Sequence, residues 1–181
     1  MSSNPALETL LCWGNQLTAL DVSSNPALTY LYCGRNQLTT LDVSSNPALD
    51  DLSCGANQLT ALDVSSNPAL TYLYCNSNQL TDLDVSNNPA LETLSCGGNQ
   101  LTTLDVSKNT ELNYLQCSPM DDSNGNNLLA TLYIYQGQEI LNVTSNRDEF
   151  YIPAGTQIVV ASNSGGGASG EVPDTPGGGF D

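Results

Sequence analysis

"TYLYCGRNQLTTLDVSSNPAL", residues 29–49, returns as "TYLYCNSNQLTDLDVSNNPAL" at residues 71–91. The beat beneath this echo is shorter. Cys12, Cys33, Cys54, Cys75, Cys96 and Cys117 follow one another at intervals of twenty-one residues. Each closes an L-x-x-L-x-C phrase such as Leu28, Leu31, Cys33, and an asparagine follows three places later at Asn15, Asn36, Asn57, Asn78 and Asn99. The second half of each repeat answers with L-x-x-L-x-V-x-x-N, for example Leu38, Leu41, Val43 and Asn46. A fixed period of this length marks a solenoid, because one coil cannot bury its leucines alone and stacked coils bury them together.

Within the first arc of a coil, Leu31 and Cys33 share one face and Tyr30 and Tyr32 the other, the period of a strand. Asn-Pro, once per coil at Asn25-Pro26, Asn46-Pro47 and Asn67-Pro68, breaks any helical run. Each coil therefore reads as two short strand-like arcs joined by two asparagine-bearing turns. The asparagines can bond backbone groups of their own and adjacent coils.

On these motifs the chain resembles the leucine-rich repeats, with cysteine at the third leucine position. The nested form ending L-D-V-S-x-N-P-A is similar to the short bacterial class of surface and secreted proteins of Bacteroidota type. The resemblance covers about residues 2–117. It implies a mostly β solenoid with little or no helix and a parallel sheet on the concave, ligand-facing side. It also implies an extracellular or cell-surface location, although no signal segment opens the chain. "MSSNPAL" enters in the middle of the phrase "DVSSNPAL", so the chain reads as a piece of something longer.

Residues 1–117 are thus expected to form six coils, the first truncated. Residues 118–162 read as a polar insertion, a last half-repeat on Leu129, Leu132 and Ile134, and a β-hairpin cap made by "EILNVT" and "FYIPAGTQIVVA". Residues 163–181 are Gly-, Ser- and Pro-rich and read as a flexible tail or linker.

Six cysteines invite a disulfide reading. Stacked side chains lie about 4.8 Å apart, however, whereas a disulfide needs Cβ atoms about 3.8 Å apart. A straight row also cannot place four thiolates tetrahedrally around one ion. The cysteines read as small buried side chains where leucine would overfill a narrow coil.

Nineteen acidic and three basic residues among 181 give a net charge of −16. Such a surface repels nucleic acid and anionic membrane, and no apolar run is long enough for membrane insertion. The chain has no histidine, the commonest general base and metal ligand. No nucleophile stands beside a base, so no catalytic residue, cofactor or metal site is assigned.

Outward, Asp21, Asp42, Asp63, Asp84 and Asp105 form a ladder, read as capping the turns that follow, with cation binding as the alternative. The outward pairs of the first arc vary: Thr9/Leu11, Tyr30/Tyr32, Asp51/Ser53, Tyr72/Tyr74, Thr93/Ser95 and Tyr114/Gln116. Tyrosine offers a large amphipathic contact at low entropic cost. Tyr30, Tyr32, Asp51, Tyr72, Tyr74 and Tyr114 are therefore the candidate ligand surface, for a protein or glycan. The alternatives are that the alternation only records a two-coil duplication, or that the solenoid self-associates end to end as a structural element. Trp13, just past the first arc, reads either as a stacking platform or as a shield for that end.

Overall fold

The structure is a computed structural model that describes residues 4–117, 129–135, 150–151 and 156–161. Among these residues it contains strands, turns and no helix. The first arcs become strands of three residues: β1 Thr9–Leu11, β2 Tyr30–Tyr32, β3 Asp51–Ser53, β4 Tyr72–Tyr74 and β5 Thr93–Ser95. They continue into β7 Tyr114–Gln116 and β9 Phe150–Tyr151, all parallel in the order β1-β2-β3-β4-β5-β7-β9. The register is the repeat itself: Leu10, Leu31, Leu52, Leu73, Leu94 and Leu115 stand side by side. Every shift of one coil places like on like, so the ladder has one register that buries its leucines.

The second arcs behave differently. In most coils they make no strand, because the D-V-S-x-N phrase bends back on itself. Asn46 N–H donates to Val43 O at 3.0 Å and Leu49 N–H to Asn46 O at 3.0 Å, spending locally the groups a ladder would use. A second sheet forms only at the far end, where β6 Thr103–Asp105, β8 Thr131–Tyr135 and β10 Gln157–Ala161 lie parallel in the order β10-β8-β6. Leu132 pairs with Leu104 as the expected half-repeat requires, and Leu129, Leu132 and Ile134 are buried. Tyr133 takes the position of the ladder aspartate opposite Asp105, so the turn phrase is gone and the strand runs on.

Of the expected hairpin cap only parts of the second strand are described, and these divide between two sheets. Its first strand, residues 139–144, lies outside the described residues. The segment 150–161 is not one strand: Phe150–Tyr151 extends the first sheet and Gln157–Ala161 the second, each parallel to the coil before it. Alternation over "FYIPAGTQIVVA" suited a hairpin, but the same apolar positions can continue a solenoid by serving two sheets in turn.

The core is one column of leucine, valine and cysteine running through all coils. Cys33, Cys54, Cys75, Cys96 and Cys117 are buried and form no disulfide; Cys12 forms none either but is only half-buried, since among the described residues no coil packs on its other side. Burial pushes Cys33 up to about 12 and holds Cys54, Cys75 and Cys96 well above the ordinary thiol value, keeping them protonated and unreactive.

Two asparagine columns fasten the coils. Asn57 Nδ2 donates to Cys33 O at 3.1 Å and Cys54 O at 2.9 Å, while its Oδ1 accepts Leu38 N–H at 3.0 Å. Asn67, in the second column, donates to Val43 O at 3.0 Å and Asn46 O at 2.8 Å, but its buried Oδ1 has no partner. The first column ties three backbone groups per coil and the second only two.

Candidate ligand-recognition face

Because inward leucines fix the register, the outward residues fall into two straight rows. One carries Thr9, Tyr30, Asp51, Tyr72, Thr93 and Tyr114. The other carries Leu11, Tyr32, Ser53, Tyr74, Ser95 and Gln116. All six candidate residues are thus on one face, as expected. The tyrosine strands β2 and β4 flank β3, so the two strands are roughly 10 Å apart.

The six are not equivalent. Tyr30 and Tyr72 are exposed, at 41% and 36%, while Tyr32, Asp51, Tyr74 and Tyr114 are half-buried. Thr93, Ser95 and Gln116 are buried although they point outward, and Ser95 Oγ donates to Gln116 Oε1 at 2.5 Å. Tyr114 therefore lies beyond a closed stretch, and the accessible part of the face is β2 to β4.

Nor is the gap over Asp51 simply open. Tyr32 crosses to it, its phenol donating to Asp51 Oδ2 at 2.5 Å. That bond is the main reason the Tyr32 hydroxyl is pushed up to about 12, with burial and the carboxylate charge adding to it. For Asp51, burial pushes the carboxyl above its ordinary value; the Tyr32 bond opposes this and neighbouring Asp50 reinforces it. Its second oxygen, Oδ1, is buried with no partner. With Oδ2 taken by Tyr32 and Oδ1 closed to solvent, Asp51 offers an approaching ligand its charge and not an open acceptor.

The charged positions before the strands add to this. Glu8, Asp50 and Glu92 stand in the column preceding the tyrosine row, with Thr71 Oγ1 bonded to Asp50 Oδ1. Past the strands the character changes. Leu11, Trp13, Tyr32, Arg35, Ser53 and Asn76 line a cleft of about 490 Å³, with Gly34 and Gly55 in its lining as well. Leu11 and Trp13 are 62% and 61% exposed. Of these residues Trp13 and Tyr32 had a signal in the sequence. Arg35 did not stand out, though it occupies the position held elsewhere by Gly14, Ala56, Ser77 and Gly98.

On the opposite side of the coil the Asp ladder caps its turns. Ser23, Ser44, Ser65, Ser86 and Ser107 donate N–H groups to Asp21, Asp42, Asp63, Asp84 and Asp105 at 2.8–3.0 Å. The serine hydroxyl first, then this N–H, hold Asp21, Asp42, Asp63 and Asp84 below the usual carboxylate range. Each carboxylate accepts through Oδ1 within its own turn.

Similarity to known proteins agrees with the fold. The family of leucine-rich repeats (two copies) matches residues 5–46. The functional domain of InlJ from Listeria monocytogenes, described as including a cysteine ladder, superposes with a TM-score of 0.62 at 41% identity. That match covers 72% of this chain and 30% of InlJ. A leucine-rich repeat protein of Leptospira interrogans gives 0.60 at 27% identity, over 71% of this chain and 33% of that one. An internalin, InlF, of Listeria monocytogenes gives 0.60 at 26%, over 72% and 42%. The chain therefore spans under half the length of each. No curated protein sequence matches it. The chain is a leucine-rich repeat solenoid with a buried cysteine ladder, resembling the repeat domains of bacterial internalins.

Proposed function

We propose that the chain is a non-catalytic recognition module of a larger bacterial surface or secreted protein, binding a protein or glycan partner through β2 to β4. The observation that carries this reading is the pairing of two tyrosine strands around Asp51 on a frame that is otherwise monotonous. Exposed, variable aromatics on a rigid scaffold are where binding energy concentrates. With the charges of Asp51 and Asp50 between the two tyrosine strands, a protein partner would present a lysine or arginine there, drawn by charge and by the negative faces of the rings. The likeness to internalin repeat domains supports both the recognition role and the surface location. The Asp ladder is the weaker candidate, because its carboxylates already accept serine donors.

Replacing Tyr30 and Tyr72 together by Ala tests the assignment. Wild type and variant are compared on arrays of host-type proteins and glycans, with calcium and with chelator. Binding that is lost at unchanged melting temperature is the expected result. Binding that survives the double change, or vanishes only on chelation, places the site on the Asp ladder.

A further inference from the structure

The cleft past the tyrosine rows has a chemistry of its own. Arg35 is one of three basic residues in a chain of net charge −16, and its side chain makes no hydrogen bond or ion pair with any described residue. Its φ of 52° is that of the turn itself, shared by Ala56 and Ser77 at 54° and 56° and by Gly14 and Gly98 at 68° and 69°, so only the side chain sets this coil apart.

Along the coils the cleft lining runs from apolar, in the first, to polar, in the third and fourth. Leu11 and Trp13 offer exposed hydrocarbon and an indole face, while Ser53 and Asn76 offer hydrogen-bonding groups. The Gly34 and Gly55 backbones bring successive coils close: a Cβ on Gly34 would meet Gly55 O at 2.9 Å, and one on Gly55 would meet Asn76 Oδ1 at 2.7 Å. No side chain projects from either glycine to fill the cleft.

We propose that this cleft binds the C-terminus of a polypeptide whose last residue is large and apolar. The proposal rests on reading this sheet as a recognition face and adds a second pocket to it. The terminal carboxylate pairs with Arg35, whose planar fork matches it in two parallel hydrogen bonds. The last side chain lies against Leu11 and Trp13, and the last amide reaches Asn76 or Ser53. A chain terminus suits the cleft better than an acidic segment for two reasons. It places one carboxylate on the same carbon as the apolar side chain, as Arg35 beside Leu11 and Trp13 demands. It also brings a single negative charge, where a run of acidic residues would be repelled by the −16 surface.

Trp13 is the sole tryptophan, so its fluorescence reports this cleft alone. The whole chain is titrated with acetyl-Gly-Leu bearing a free carboxylate, its C-terminal amide, acetyl-Glu-Leu-amide and glucuronic acid. A saturable Trp13 change with the free acid, absent with its amide and weakened by salt, is expected. Arg35→Gly should weaken it at least tenfold with no fall in melting temperature, since the turn already accepts glycine. Arg35→Ser, which copies Ser77 at the same position, should do likewise. An equal response to the amide, a response surviving both substitutions, or silence up to about 10 mM overturns the proposal. A stronger response to acetyl-Glu-Leu-amide or to glucuronic acid overturns it in favour of an internal acidic residue or an acidic sugar. The tyrosine-face reading can fail on its own arrays while this titration succeeds, because the titration uses neither Tyr30 nor Tyr72.

Discussion

The two arcs of each coil share an inward pattern and differ in everything else. The first arc gives its backbone to the neighbouring coils, and its outward side chains change from coil to coil. The second arc in most coils meets its neighbours only at single points, such as Gln58 N–H to Leu38 O, and closes a turn on itself; its outward aspartate is the same in five coils. A ladder between coils fixes the strand whatever stands on its outer face, so Tyr, Asp and Thr can alternate there without cost to register. The turn of the second arc depends on particular side chains: Asp42 accepts from Ser44 within the turn and Asn46 reaches Val22 O of the preceding coil, so these positions recur while Ser45, Asn87 and Lys108 between them differ. Freedom to evolve a binding surface follows from where the backbone hydrogen bonds go.

This contrast can be broken in order of effect. The largest change should come from the inward side, which the arcs share. Leu73→Ala removes a fully buried side chain and should cost about 2–5 kcal/mol, whereas exposed Thr60→Ala should stay within about 0.5 kcal/mol. Chemical denaturation of both variants checks this, and similar midpoints would refute the register.

A smaller difference should separate the two asparagine columns. Asn57→Ala strips partners from three backbone groups and Asn67→Ala from two. Asn57→Ala should therefore be the worse by about 1 kcal/mol, the worth of one hydrogen bond. Equal losses in the same unfolding experiment would mean that the unpartnered Oδ1 of Asn67 is satisfied in solution.

The smallest effects are electrostatic and should differ in sign. Asp42 is lowered in the fold, so it contributes stability above the unfolded value near pH 4 that is lost as pH falls through its folded value. Asp51 is raised, so its contribution is present at low pH and is lost as pH rises through its folded value. At pH 7, Asp42→Asn should lower the melting temperature slightly, and Asp51→Asn should leave it unchanged or raise it. Both differences should shrink toward pH 3. Melts of the two variants across pH 3–7 supply the check, and two shifts of the same sign at pH 7 would remove the electrostatic distinction between the arcs.

The sequence showed the frame plainly because every coil votes for it. The twenty-one-residue beat, the inward leucines and the two asparagine columns each recur several times, so a misreading at one coil would be outvoted. Where the beat fails, so did the reading. Residues 150–161 alternate like a hairpin strand, yet nothing local says that Phe150 and Ile158 belong to different sheets. The candidate face was legible as a row of variable positions, but its closure at Ser95 and Gln116 was not, nor was the reach of Tyr32 to Asp51. Arg35 was missed for a related reason. Its meaning lies in the neighbouring coils that line its cleft, which do not appear in its own repeat.

The central claim is that the outer face of β2 to β4 is independent of the frame beneath it. Converting these three strands to the Thr-Leu-Ser of β5, by Tyr30→Thr, Tyr32→Ser, Asp51→Thr, Tyr72→Thr and Tyr74→Ser, tests it in one thermal melt against Leu73→Ala. The five outward changes remove the Tyr32–Asp51 pair together and leave every inward leucine in place. The five-fold variant should melt cooperatively and clearly above the single Leu73→Ala variant. If it melts below Leu73→Ala, the tyrosine face is part of what holds the solenoid together and the separation of frame from face is wrong.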